Sequence, residues 1–348
     1  MTGRDECAET APWEATVALA AEHLRGILDH AVQHDLRQAA LVIADGQSEL
    51  ARVLAAAYAR CLPEARSIDF EGTEAAAILE LFDRLDPGSL VVLVQSTSFR
   101  LDAFRIRIEL FNRGLKVIEH PHLARMSGPE ALIYIDALAY DPAYFRGVGH
   151  ALKERLDRAQ VGVVESGGER LVFPAAFEAA KLNIGDYTGM KNVGGQFPIG
   201  EVFTESRDLE AVTGRVRIGF FGDTSFTVNR PAQAITLVVE AGLVVRTENS
   251  TPDFDSVLAD IRADEGQIWL RELGFGMNRA FSQERTVSDI GSFERMCGVH
   301  LSLGAKHAVF NKPNIRKKKA RYHVDVFVLT ERVLLDGDVI YCEGAWQV

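Results

Sequence analysis

Two short stretches near the end of the chain carry side chains that commonly bind metal ions. His323 and Asp325 are two residues apart in an apolar run that predicts a β-strand, so both side chains should point to one face. His300 lies in an earlier run, residues 298–303, that also predicts a strand. A neutral imidazole and a carboxylate are frequent ligands of divalent cations. These residues predict that the two strands pair and hold a metal ion.

Two glutamates interrupt apolar runs elsewhere in the second half of the chain. Glu201 stands in the run GEVFT at 200–204, and Glu272 follows the run IWLR at 268–271. A carboxylate is costly to bury beside bulky apolar residues unless a cation or hydrogen bonds compensate its charge. The chain therefore offers five candidate ligands, which suffice for two adjacent metal ions that share a bridging carboxylate. They are Glu201, Glu272, His300, His323 and Asp325.

The first half of the chain alternates between predicted helices and predicted strands. Continuous apolar runs at 39–44, 90–94 and 115–120 predict buried strands, and segments with helical spacing of apolar residues separate them. Ser48 is placed to cap the helix after the first strand. No G-x-G-x-x-G or P-loop pattern is present, so these turns do not predict a nucleotide site. The alternation predicts an α/β N-terminal domain with a parallel sheet.

After about residue 160 the pattern changes to short strands separated by glycine-containing turns. One helix, at about 253–263, interrupts these strands. The pattern predicts a mostly antiparallel β (α+β) C-terminal domain that contains the metal-binding residues. The sequence thus predicts two domains, an α/β domain at 1–165 and a metal-binding catalytic domain at 166–348.

Composition limits the classes of function. The 348 residues are 47% hydrophobic, enough for a large core, and the net charge of −11 argues against nucleic-acid binding, because phosphate recognition needs a basic surface. The N-terminus lacks the layout of a signal peptide, and no apolar run is long enough to cross a bilayer. The four cysteines show no C-x-x-C pattern and fit a reducing compartment. We predict a cytoplasmic protein without a membrane or nucleic-acid partner.

Several motifs of the second half resemble, in order, those of the aminopeptidase T (thermophilic leucyl aminopeptidase) family. They are GGQFPIGEVFT at 194–204, GRV at 214–216, ELG at 272–274, GVH at 298–300, HVD at 323–325 and DG at 336–337. The likeness covers mainly residues 190–348, and the first half is similar only in its α/β character. It implies a two-domain metallopeptidase, usually a homodimer, that acts on short peptides or small amides. It also implies two zinc, cobalt or manganese ions per chain in the second domain.

The resemblance also implies roles for individual residues. The five candidate ligands would hold the metals, and Glu294, shortly before His300, would be the general base. The sequence departs from the family pattern at His307, where the family carries a tyrosine, and a Gly-Gly pair that usually follows is absent. A tyrosine there would donate a hydrogen bond to the tetrahedral oxyanion, and His307 could do the same with a different pKa and reach. A basic run at 316–319 could border the site and select a substrate carboxylate.

Two other functions fit the same residues. The 2,5-dihydroxypyridine ring-cleaving dioxygenases are similar in length and in second-domain architecture, and they hold one Fe(II) with two histidines and an aspartate. His300, His323 and Asp325 could form that triad, although an iron triad does not require Glu201 or Glu272. A non-catalytic homologue could instead bind a peptide or small molecule in a biosynthetic pathway. The main prediction is a metalloaminopeptidase-like hydrolase with a small-molecule or short-peptide substrate.

Overall fold

A computed structural model describes residues 5–101, 106–315 and 320–348. The chain divides into two compact units. Unit 1 comprises Met1–Ala143 and Gly185–Ile199, and unit 2 comprises Tyr144–Ile184 and Gly200–Val348. The sequence predicts one boundary after residue 165, whereas the chain passes into unit 2 earlier and then returns to unit 1 for fifteen residues (199 − 185 + 1).

Unit 1 contains a parallel sheet flanked by helices, as the α/β pattern predicts. Numbered along the whole chain, its strands are β1 (Ala40–Ala44), β2 (Arg66–Asp69), β3 (Leu90–Val94), β4 (Lys116–His120) and β8 (Gly194–Gln196). Within the described residues they form a five-stranded sheet in the order β2-β1-β3-β4-β8, with every neighbouring pair parallel. Its helices are α1 (Asp5–Gly26), α2 (Glu49–Cys61), α3 (Ala75–Asp83), α4 (Ile106–Asn112) and α5 (Pro129–Ala137), with a π-helical turn at Ile27–Ala31 and a 3-10 turn at Leu123–Arg125.

Local chemistry explains the ends of these elements. The Ser48 side chain accepts a hydrogen bond from the Ala51 amide and caps α2, as the sequence predicts. The last strand of the sheet, β8, joins it through Gly194, which has φ +96°. A Cβ at this position would lie 1.9 Å from the Val117 carbonyl oxygen of β4, so only glycine allows this close approach. The returning segment therefore belongs to unit 1 because β8 completes its sheet.

A buried histidine ends β4. His120 has no exposed surface, and its ring nitrogens lie 2.7 Å from the Tyr58 hydroxyl and 2.8 Å from the Tyr134 hydroxyl. The Tyr134 hydroxyl donates to the Phe197 carbonyl oxygen, so His120 Nδ1–H donates to Tyr134 and Nε2 accepts from Tyr58. Burial lowers the pKa of His120 to about 3, so the folded chain keeps this imidazole neutral.

Acid should weaken the folded state through His120. Its folded pKa of about 3 lies below the unfolded value of 6.5, so the stabilisation is present above pH 6.5 and is lost as the pH falls toward 3. Between about pH 7.5 and pH 5.5 we expect a loss of about 1.4 kcal/mol in the free energy of unfolding. Urea unfolding at both pH values measures this loss. The variant His120→Gln has no titrating group at this position, so its loss between the two pH values measures the contribution of all other groups. An equal loss in the wild type and in this variant would contradict the expectation.

Unit 2 contains an antiparallel sheet, which confirms the fold class predicted for the second half. In the described part of the chain the sheet has fourteen strands. Eleven follow the order β19-β18-β17-β5-β6-β10-β16-β15-β14-β9-β7, while β11 and β12 also pair with β10, and β13 pairs with β12. The strands are β5 (Gly162–Ser166), β6 (Glu169–Phe173), β7 (Lys181–Asn183), β9 (Glu201–Glu205), β10 (Thr213–Gly222), β11 (Val228–Asn229), β12 (Ile235–Glu240), β13 (Leu243–Glu248), β14 (Leu270–Gly276), β15 (Gly298–Leu303), β16 (Val324–Val328), β17 (Arg332–Leu335), β18 (Asp338–Cys342) and β19 (Ala345–Trp346). The helices are most of α6 (Pro142–Arg158), α7 (Pro252–Glu265) and the short α8 (Ile290–Phe293).

Four neighbouring strands, β9, β14, β15 and β16, position the candidate ligands. As predicted, β15 pairs with β16. The register places His300 opposite Gly274 on one side and opposite Phe327 on the other, while Glu201 faces Gly276. All residues of β14 and β15 are buried, so any polar side chain on these strands lies in the interior of unit 2. No described helix is both long enough and apolar enough to span a membrane.

Candidate metal centre

Glu201, Glu272 and His300 come from three neighbouring strands and meet in the interior of unit 2. Each offers one ligand atom, and these atoms all lie within 4.8 Å of one another. His300 Nε2 lies 3.2 Å from Glu201 Oε1 and 3.5 Å from Glu272 Oε1. All three side chains are buried. The pairing of β9, β14 and β15, which the sequence does not predict, brings one imidazole and two carboxylates into the arrangement expected of a metal centre.

A glycine provides the space for the His300 ring. Gly274 lies opposite His300 in the register of β14 and β15. A Cβ at residue 274 would lie 2.1 Å from both Cε1 and Nε2 of the imidazole, and ring atoms cannot yield by that amount. The spacing Glu272-Leu273-Gly274 therefore has a physical reason, because the acid and the space for the histidine must lie on the same face of one strand.

His323 and Asp325 form a second pair. His323 immediately precedes β16, Asp325 lies within it, and His323 Nε2 is 3.2 Å from Asp325 Oδ1. The two side chains share a face, as the sequence predicts. His323 Nδ1 lies 3.1 Å from the Lys306 carbonyl oxygen, so Nδ1–H donates to it and Nε2 faces the carboxylate.

His307 connects this pair to Glu272. Its Nδ1 accepts from the Val309 and Phe310 backbone amides at 3.1 and 3.2 Å, which places the ring proton on Nε2. His307 Nε2 lies 2.8 Å from Glu272 Oε2, and the His307 ring centroid is 5.8 Å from that of His323. The residue that the sequence suggests as an oxyanion donor therefore directs its proton at a candidate metal ligand.

The structure adds Arg295, which no sequence pattern predicts as part of the site. Its buried guanidinium Nη1 lies 3.0 Å from Glu201 Oε2 and also contacts Glu294 Oε1. Segment 295–296 packs directly on β14 because residue 276 is glycine, where a Cβ would lie 1.9 Å from the Met296 carbonyl oxygen. One sequence signal was present: Arg295 follows an acid within a stretch that is otherwise largely apolar.

The imidazole and the carboxylates of the three-residue group stabilise one another's charged forms. Burial alone would lower the pKa of His300, but Glu201 and Glu272 outweigh this effect and raise it well above its usual range. Burial alone would raise the pKa of Glu272, but His300 and His307 outweigh it and hold the pKa well below the usual range. Without a bound cation, His300 is therefore protonated between two carboxylates, and this proton stands where a cation would bind.

The pKa values of two flanking groups, His323 and Glu294, are also raised, the first by a neighbouring charge and the second by burial. Burial would lower the pKa of His323, but Asp325 outweighs it and raises it to about 10. Burial raises the pKa of Glu294 to about 8, with Arg295 opposing the rise. The Glu294 side chain is nevertheless 22% exposed, which leaves its carboxyl within reach of solvent.

The group fits a divalent cation. In the described part of the chain, His300 Nε2 and Asp325 Oδ1 are buried without a hydrogen-bond partner, although each has an oppositely charged group at 3.2 Å. Buried polar atoms normally have a partner, so these two potential ligand atoms beside converging carboxylates point to a missing cation. A donor set of one imidazole nitrogen and carboxylate oxygens suits zinc, manganese, cobalt or iron.

The geometry of this group does not support two further predictions from the sequence, the iron triad and the basic rim. The dioxygenase triad would combine His300, His323 and Asp325, whereas His300 Nε2 lies among the oxygens of Glu201 and Glu272. The basic run at 316–319 falls outside the described residues.

The chain was compared with known proteins by sequence and by structure. No family model matches the sequence, and no curated protein does. Among solved structures, wild-type AmpT from Thermus thermophilus is similar, with a TM-score of 0.56 and 15% sequence identity. The match covers 97% of this chain and 100% of that chain. At this identity the likeness is one of fold alone, and it agrees with the architecture that the motifs imply.

Proposed function

We propose that the protein is a metal-dependent hydrolase of the aminopeptidase type, acting on short peptides or small amides. The observation that carries this proposal is the buried group Glu201, Glu272 and His300, with its orphaned polar atoms, on the sheet of unit 2. The likeness to AmpT and the motifs shared with the aminopeptidase T family support the same class. A homodimer and a cytoplasmic location stay predictions from the sequence.

The residues of the site divide into ligands and a proton carrier. A cation held by Glu201, Glu272 and His300 would polarise the substrate carbonyl and activate a water molecule. Glu294 is the proposed general base: its carboxylate takes the proton of the attacking water and passes it to the departing amine. Glu294 fits this role because its carboxyl adjoins Arg295, which also contacts Glu201, and its side chain is 22% exposed, within reach of water. We propose that Asp325 and His323 lie at the edge of the ligand shell of the cation.

The role proposed for His307 differs from that of the tyrosine in the aminopeptidase T family. Because its Nε2 faces Glu272 and its Nδ1 accepts two backbone amides, both ring nitrogens are engaged. We assign it the role of a positioning residue that fixes the Glu272 carboxylate. Such neighbours of a metal ligand typically contribute about 10–100-fold to metal affinity or activity.

Metal-stripped protein should be inactive and should recover activity with Zn²⁺, Mn²⁺ or Co²⁺. The substrates are short peptides with a free N-terminal amine, and N-acetylated versions of the same peptides serve as controls. We expect the reloaded protein to cleave only the free-amine peptides. Absence of cleavage with every metal contradicts a hydrolase, and equal cleavage of the acetylated peptides contradicts the aminopeptidase type.

Glu294→Gln separates metal binding from proton transfer. We expect it to retain the metal but to lower kcat by about 10²–10⁴-fold, the usual contribution of a general base. Glu284→Gln, at an exposed acid of unit 2, is the matched control and should leave kcat unchanged. Full activity in Glu294→Gln would remove Glu294 from the mechanism.

A further inference from the structure

The two imidazoles that border the metal centre, His307 and His323, lie on two short backbone stretches, which we call the first arm (305–307) and the second arm (321–323). Neither arm belongs to a strand, because β15 ends before the first and β16 begins after the second. The arms contact each other, since the Lys306 carbonyl oxygen accepts from His323 Nδ1–H at 3.1 Å. The places of both imidazoles therefore depend on what holds the arms.

One side chain bonds to both arms. Glu265, the last residue of α7, accepts hydrogen bonds from three backbone amides. Its Oε2 accepts from Ala305 at 2.6 Å, and its Oε1 accepts from Arg321 at 2.6 Å and from Tyr322 at 2.8 Å. Hydrogen bonds to a carboxylate are about twice as strong as those between neutral groups. Because each arm bonds to a different oxygen, this one carboxylate fixes the separation of the arms.

The position of Glu265 at the end of α7 also points to this role. The helix buries Phe254, Val257, Leu258 and Ile261 in unit 2, so its C-terminal end is a firm anchor. A negative charge at the C-terminal end of a helix opposes the helix dipole. An acid that breaks this local preference is expected where it serves contacts elsewhere in the fold, and the three amides are those contacts.

We infer that Glu265 is a positioning residue of the metal centre, which sets the places of His307 and His323 by holding the two arms at a fixed separation. His307 Nε2 lies 2.8 Å from Glu272 Oε2, and His323 Nε2 lies 3.2 Å from Asp325 Oδ1. A shift of either arm would therefore alter the surroundings of a candidate ligand. The inference rests on the proposed function, because it presupposes a cation at the centre.

Glu265→Gln tests the inference on the full-length chain. The side chain keeps its length, but its amide has one acceptor oxygen and turns an NH2 group toward the other arm, where it meets a backbone donor. We expect the affinity for Zn²⁺, measured by competition with a chromophoric chelator, to fall about tenfold, the lower end of the range for residues that support metal ligands. The visible spectrum of the Co²⁺-loaded variant should also differ from that of the wild type, because its bands depend on ligand geometry.

Asp264→Asn is the matched control. Asp264 precedes Glu265 and contacts the second arm only through exposed side chains: its Oδ2 accepts from the Tyr322 hydroxyl at 3.0 Å and from Arg321 Nη1 at 3.3 Å. Because such exposed contacts contribute little, zinc affinity should stay within about twofold of the wild type. The urea midpoint of each variant is measured as well, since a residue that only stabilises the fold would change the midpoint and leave both metal readouts unchanged.

The outcomes separate the inference from the proposed function. A wild type that binds no zinc overturns the inference together with the metal centre and the proposed function. Zinc binding by the wild type, with unchanged affinity and cobalt spectrum in a folded Glu265→Gln variant, overturns the inference alone. An equal loss of affinity in Asp264→Asn also overturns it, since that loss would come from the charge of the helix end and not from the amide bonds.

A measurement on the wild type decides the matter if Glu265→Gln does not fold. Hydrogen exchange of the zinc-free protein reports whether the amides of residues 305, 321 and 322 are held without a cation. Slow exchange of these amides supports the inference, and fast exchange overturns it.

Discussion

Replacing His300 by glutamine is expected to lower the affinity of the protein for Zn²⁺ by more than about 100-fold. Removal of a residue that merely supports a metal ligand typically lowers affinity about 10–100-fold, and loss of a ligand itself should exceed this. His300 Nε2 is the nitrogen that faces the carboxylate oxygens of Glu201 and Glu272. A glutamine has a similar reach but offers a neutral amide, which is a poorer zinc ligand than imidazole. Competition titration against a chromophoric chelator measures the affinity.

A control histidine and a proton count make this test specific. His30→Gln, at an exposed histidine of unit 1, should leave zinc affinity unchanged. Zinc binding to the wild type should release a proton, because the pKa of His300 is raised well above its usual range and metal ligands must be deprotonated. His300→Gln should therefore release fewer protons, measured in dilute buffer. Unchanged affinity and proton release in a folded His300→Gln variant would place the metal elsewhere.

The strands that carry the ligands could be predicted because their signals are local. Alternation along one strand predicts that His323 and Asp325 share a face, and the structure confirms it with a contact of 3.2 Å. Glu201 and Glu272 stood out because an acid in an apolar run needs compensation. Their convergence on His300 follows from the register of three strands, which the structure supplies.

Arg295 and the division of the chain depend on contacts between distant residues. Arg295 reaches Glu201 only because segment 295–296 packs on Gly276, which lies opposite Glu201 in the sheet. Similarly, β8 is three residues long, too short for a periodic pattern, and it joins unit 1 through the close approach of Gly194 to Val117. Periodicity cannot report either contact, because it describes neighbours within one element and not the partner of that element.

Replacing Arg271 by methionine is expected to lower the free energy of unfolding of the chain by about 3 kcal/mol. Arg271, which precedes Glu272 in β14, forms a fully buried ion pair with Glu205, with Nη2 3.1 Å from Oε2. Arg271 also donates to the carbonyl oxygens of Ala305 and Phe310, which flank His307. Removing one partner of a buried pair typically costs about 3–5 kcal/mol, because the other charge stays buried. Lys312 Nζ, 3.7 Å from Glu205 Oε2, compensates part of that charge and favours the lower value.

Urea unfolding, followed by the fluorescence of Trp269 and Trp346 in unit 2, measures the effect. Arg246→Met is the matched control, because Arg246 is 59% exposed in its pair with Glu248 and should contribute less than about 1 kcal/mol. The double variant Arg271→Met/Glu205→Leu should recover part of the loss, since it removes the uncompensated carboxylate as well. Equal losses in Arg271→Met and Arg246→Met would show that Arg271 is not an essential counter-ion of Glu205. The loop bearing His307 would then be held by its own contacts alone.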